Sequence, residues 1–203
     1  MAAAGLSALG LALLVREAAL QATTWHVVGF SVFGASLIGL YTSSSLYHLL
    51  PLAPETLRLF RRIDHIMIYV LIAGTYTPIC LTTLRGPWGG SILGVVWGMA
   101  LVGFFLKIFW LQAPRGISTA LYIAMGWVAL VAVVPLADAL PTTALVWLLL
   151  GGIFYTVGAM FYALKRPTIH PRHFTFHELF HVLVMAGSAC HYWLMHQYVL
   201  MTG

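Results

Sequence analysis

Long apolar runs alternate with short stretches of charge, proline and glycine along the whole chain. The runs fall at about 2–20, 26–50, 64–84, 88–111, 116–136, 141–163 and 174–201. At about 1.5 Å of rise per residue, most are long enough to cross about 30 Å of hydrocarbon, and residues 2–20 make a short first span. In lipid only helices and closed barrels satisfy their own backbone groups, and continuous apolar runs select helices. The pattern predicts an all-α fold, a bundle of seven transmembrane helices. Proline punctuates it as helix ends require: Pro51 and Pro54 after the second run, then Pro87, Pro114, Pro141 and Pro171 at later boundaries. Pro78 falls inside the third run and predicts a kink, with threonines nearby to satisfy freed backbone groups. Gly90, Gly94 and Gly98 recur every fourth position in the fourth run and predict a face that a neighbouring helix approaches closely.

Composition narrows the class. Only 7% of the 203 residues are charged, against about 25% in a soluble domain. Such a chain cannot cover itself with a water-compatible surface, so residues 1–203 read as one integral membrane domain with no room for a sizeable soluble one. The first fifteen residues lack the basic n-region of a signal peptide. Cys80 and Cys190 both sit inside apolar runs, as small packing residues.

Charge then sets orientation. Arg58, Arg61, Arg62, Lys107, Arg115, Lys165, Arg166 and Arg172 fall in one set of connections, and only Arg16 and Arg85 in the other. The positive-inside rule places the first set, with the N-terminus, in the cytoplasm and the C-terminus outside. The net charge of +5 therefore reports topology. No basic block is long enough to bind nucleic acid.

Five polar residues need a reason to enter a membrane, where ionisable groups are expensive. Ser44 and His48 lie near the end of the second run, Asp64 opens the third after Arg61 and Arg62, and His177 and His181 begin the seventh. On the orientation above, all five share one level, one to two turns inside the cytoplasmic face. Ser44 with His48, and His177 with His181, are spaced i and i+4, so each pair shares a helix face. Three imidazoles and a carboxylate suit zinc, whose catalytic sites keep three protein ligands and an open position. Asp64 would ligate the metal or hold its water, and Ser44 would support it by hydrogen bonding. Plainer readings exist: Asp64 as an N-cap of the third helix, and Ser44 bonded to a backbone carbonyl. His26, His65, His170, His173, His191 and His196 read as hydrogen-bonded interfacial residues. His177-Glu178-x-x-His181 also matches H-E-x-x-H, in which the glutamate is the general base of a metalloprotease.

Three segments carry a family resemblance: Ser43-Ser44-Ser45-Leu46-Tyr47-His48, the stretch from Arg62-Ile63-Asp64-His65 through Thr77-Pro78, and His177-Glu178-Leu179-Phe180-His181. In this order they resemble the bacterial hemolysin III family, related to the progestin and adipoQ receptors (the adiponectin receptors among them) and more distantly to the alkaline ceramidases. The resemblance implies a seven-helix, multi-pass protein of the bacterial inner membrane, with a cytoplasmic N-terminus and a zinc ion near the cytoplasmic face. It places the family's serine-x-x-x-histidine on Ser44 and His48, its aspartate on Asp64, and its histidine pair on His177 and His181. The adiponectin receptors carry glutamine where this chain has Glu178, which weakens the protease reading.

The leading expectation is a zinc-dependent hydrolase of a lipid-like amide or ester, with Asp64 and Ser44 as catalytic residues, His48, Asp64, His177 and His181 at the metal, and membrane lipids as partners. The alternatives are a receptor-like or membrane-homeostasis protein with structural zinc, hemolysin-type membrane lysis, and an intramembrane zinc protease.

Overall fold

The computed structural model describes residues 2–167, 170 and 174–202. Pro171, Arg172 and His173 lie outside the described residues. The described chain is helical: α1 (Ala2–Gln21), α2 (Thr24–Leu49), α3 (Pro54–Leu81), α4 (Pro87–Phe109), α5 (Arg115–Gly126), α6 (Val133–Ala139), α7 (Thr142–Leu164) and α8 (Phe176–Gln197). Six spans are long and apolar enough to cross a membrane: α1, α2, α3, α4, α7, and the stretch Arg115–Ala139 that holds α5 and α6. With α8, whose 22 residues include four histidines, they form a seven-helix bundle.

Three departures from the periodicity matter. The third helix starts at Pro54, ten residues earlier than the apolar run, because Glu55 to Arg62 continue it as an amphipathic stretch of just over two turns. Pro54 opens it as proline does at a first turn. The fifth span breaks: a 3₁₀ turn over Val128–Ala132 joins α5 to α6. Pro135 cannot donate to the carbonyl of Val131 and its ring crowds that carbonyl, which disfavours a continuous α-helix there. Tyr76 of α3 repairs the gap. Its hydroxyl accepts from the Ala129 N–H at 3.0 Å and donates to the Gly126 carbonyl at 2.7 Å. Third, the Gly90, Gly94 and Gly98 face is open, with no atom within 4 Å of a Cβ built at any of them. Among the described residues no helix uses that stripe.

Close approach occurs elsewhere. Gly29 of α2 lies against Pro78 of α3, and Gly74 of α3 against Ser36 of α2, so α2 and α3 pack backbone to backbone along much of their length. The threonines flanking Pro78 bond to carbonyls in its own helix, Thr75 to Leu71 and Thr77 to Ala73. α7 runs beside α8, and α1 beside α2. Between α2, α7 and α8 the contact is polar: the Tyr41 hydroxyl donates to Ser188 Oγ at 2.7 Å, and the Tyr155 hydroxyl lies 2.9 Å from the same atom. Both cysteines are free and buried.

Candidate metal centre

Local sequence fixes where two histidine-bearing turns begin and end. α2 stops at Leu49 because Leu50 is extended ahead of Pro51, which leaves His48 in the last turn. α8 starts at Phe176 because Thr175 and Glu178 form a capping box. The Thr175 hydroxyl accepts from the His177 N–H, and the Glu178 carboxylate accepts from the Thr175 N–H at 2.8 Å and from its hydroxyl. Two orphan donors of the first turn are satisfied reciprocally. Glu178 is thereby committed to the helix end and faces outward.

The two turns meet at their imidazoles. His177 Nε2 lies 3.2 Å from His48 Nε2 and 3.1 Å from His181 Nε2, and the ligating atoms of the three all fall within 4.8 Å of one another. A single His177 Nε2 can donate one proton, so it cannot satisfy both neighbours by hydrogen bonding. Three converging imidazole lone pairs suit a cation. Tetrahedral zinc with bonds of about 2.0–2.1 Å sets its ligand nitrogens about 3.3 Å apart, close to the two separations from His177. Rings pack around the cluster: Tyr47 edge-on to His48 at 4.5 Å and Tyr162 against His177 at 6.0 Å. The Arg115 guanidinium lies over the outer part of this ring cluster, 5.0 Å from the Tyr162 centroid.

Asp64 lies in the third turn of α3, so the helix does not use it as its N-cap; Ala53 holds that position. It is buried at 8% exposure, and the Ser44 hydroxyl faces its carboxyl. It is not among the groups within 4.8 Å of all three histidine nitrogens. Ser44, His48, Asp64, His177 and His181 all line one cavity of about 790 Å³ between the helices. The same cavity reaches His191, fourteen residues further along α8, a distance of about 20 Å. Apolar side chains such as Leu71, Ile72, Leu148 and Val184 line its middle.

The remaining histidines differ among themselves. His26 is fully engaged, with Nδ1 facing Thr23 and Nε2 3.1 Å from the Val199 carbonyl, and His196 pairs with Glu17 at 3.1 Å. His65 and His191 each bury an Nδ1 that bonds to no described protein group, contrary to the expectation that they are hydrogen-bonded. His170 pairs through its backbone with Phe174.

Comparison with known proteins agrees with this architecture. The Haemolysin-III related family model matches residues 1–192. The chain belongs to the haemolysin III family. Hemolysin-3 of Bacillus cereus is 40% identical over 97% of this chain and 87% of its own length. A hemolysin-3 homolog of Bacillus subtilis is 41% identical over 91% and 83%. The human monocyte to macrophage differentiation factor is 26% identical over 86% of this chain and 72% of its own. Weaker similarity to an adiponectin receptor protein of Drosophila melanogaster supports the wider superfamily. No solved structure matches the chain significantly.

Sequence reasoning overlooked three features of this centre. The Thr175-x-x-Glu178 capping box was readable as a spacing. The Tyr162 and Arg115 shell was not, because it comes from helices far apart in sequence.

Proposed function

We propose that this haemolysin III protein is a zinc-dependent membrane hydrolase, cleaving an amide or ester of a long acyl chain at the cytoplasmic side of a bacterial inner membrane. The observation that carries this reading is the meeting of the three imidazoles and the Asp64–Ser44 pair at one end of a long apolar cavity. The apolar length suits an acyl chain, and the polar end suits the bond it is attached through.

His48, His177 and His181 would hold the metal. Bound zinc lowers the pKa of a water toward 7 and polarises a carbonyl. Asp64, outside the ligand group but on the same wall, orients the attacking water and takes its proton on a carboxylate oxygen. Ser44 positions that carboxylate. Glu178 is occupied at the helix cap, which speaks against a protease using it as base.

A second reading is favoured by the same bridge between α2 and α8: zinc as a purely structural clamp in a receptor-like protein. Asp64→Asn separates the two. The hydrolase reading expects full zinc content and melting temperature, with hydrolysis of a reporter fatty amide or ester reduced by about 10²–10⁴-fold. A structural clamp expects no turnover in the wild type. Membrane lysis, the activity in the name of the Bacillus relatives, is separated by dye leakage from liposomes.

A further inference from the structure

Lys107, in the last turn of α4, is 3% exposed and lines the same cavity. A lysine at a membrane-helix end ordinarily extends its ammonium to water. This one does not. Its Nζ donates to the Ser118 hydroxyl at 2.6 Å, a neutral partner that leaves the charge without a counter-ion. The chain has five side-chain carboxylates, and none stands within salt-bridge distance of Lys107. Glu17 pairs with His196, Glu55 with Arg58, Glu178 caps α8, Ser44 faces Asp64, and Asp138 sits at the opposite end of the bundle.

The surrounding groups are donors. Thr119, next to Ser118 and 4% exposed, also lines the cavity, and its Oγ1 bonds to no described protein group. Arg61, three residues before Asp64, and His65, the residue after it, line the cavity within electrostatic reach of Lys107. An ammonium, a guanidinium and two hydroxyls from three helices therefore face one space; its one acid, Asp64, faces Ser44 and forms no ion pair with Lys107. An uncompensated buried cation is strongly unfavourable, and a ligand anion removes the penalty.

We propose that Lys107, Arg61, Ser118 and Thr119 form an anion subsite that takes the phosphate of a lipid phosphomonoester whose acyl chain fills the cavity. The two cationic groups together match the charge of about −1.5 to −2 on a phosphomonoester better than the single charge of a carboxylate, and the two hydroxyls add donors for its terminal oxygens. The subsite lies at the polar end of the cavity, the level of lipid headgroups. The inference rests on the cavity being a lipid site and names the headgroup that the hydrolase would select.

The test is equilibrium binding to detergent-purified full chain, using non-hydrolysable ether analogues of lysophosphatidate and of the uncharged monoacylglycerol of the same chain, and inorganic phosphate. The wild type should bind lysophosphatidate at least about tenfold more tightly than monoacylglycerol, as expected for hydrogen bonds to a charged group. Lys107→Met should bring that ratio close to one, Lys107→Arg should restore most of it, and Thr119→Val, a milder change, should reduce it part-way. Inorganic phosphate binding as tightly as lysophosphatidate would support the anion site while assigning it to the free ion. Equal affinity of the wild type for charged and uncharged lipids would overturn the proposal, as would an unchanged ratio in both folded variants. Because binding is read without turnover, a protein that discriminates the lipids but hydrolyses nothing would retain the subsite and lose the hydrolase reading.

Discussion

Glu178 decides between two chemistries that share one spacing. Its carboxylate accepts two hydrogen bonds from Thr175 at the start of α8, and it contributes negative charge to a helix N-terminus. Glu178→Gln keeps an acceptor oxygen, since glutamine also completes a capping box, and loses the charge–dipole contribution of about 0.3–1 kcal/mol. For a chain of this length that lowers the melting temperature by at most about 4 °C. It also changes a rate by no more than a few-fold if transmitted in full to the histidines. Removing a general base costs about 10²–10⁴-fold. The two expectations differ by an order of magnitude or more, so a reporter fatty-amide or fatty-ester assay alongside zinc content separates them. Glu178→Ala removes the cap and should cost about 1 kcal/mol, and Thr175→Ala about the same. Because both break one box, the double variant should cost clearly less than the sum. Loss of at least a hundredfold in turnover for Glu178→Gln, with zinc and melting temperature intact, would refute this account of Glu178 and reinstate it as the base.

Chelation of the metal should lower the melting temperature of the wild type and leave that of His181→Ala nearly unmoved, as read by a thermal shift in detergent. Gly151→Ala would place its Cβ 2.5 Å from His191 Nε2; this overpacking should destabilise the bundle by about 1–3 kcal/mol. Gly94→Ala, with nothing within 4 Å, should instead be neutral or stabilising by up to about 1 kcal/mol in the same assay. Tyr76→Phe removes the hydroxyl that bridges the break in the fifth span, and should speed hydrogen exchange at Ala129 without altering zinc content.

The spans were legible because a membrane demands long apolar runs, and the histidine pair because a helix stacks positions i and i+4. Asp64 was placed on the correct helix but at the wrong position within it. An amphipathic extension such as Glu55 to Arg62 carries no membrane signal, so the apolar run marks where hydrocarbon begins and leaves the helix start at Pro54 unseen. The break before Pro135 was local and could have been read from the proline. The glycine stripe in α4 shows the opposite failure: a periodic pattern licensed a packing face, while the close approaches occur at isolated glycines such as Gly29, Gly74 and Gly151. Lys107 was counted as a loop charge. Its burial depends on α5 closing over it, a tertiary fact that no spacing within α4 encodes.

The central claim is that His48, His177 and His181 hold a metal jointly across α2 and α8. Quantitative metal analysis of protein purified without chelator, for the wild type and for His48→Ala and His177→Ala, tests it most directly. The account predicts stoichiometric zinc in the wild type and its loss from both variants, although the two residues lie 129 positions apart. A metal-free wild type, or zinc retained in full by both folded variants, would contradict it.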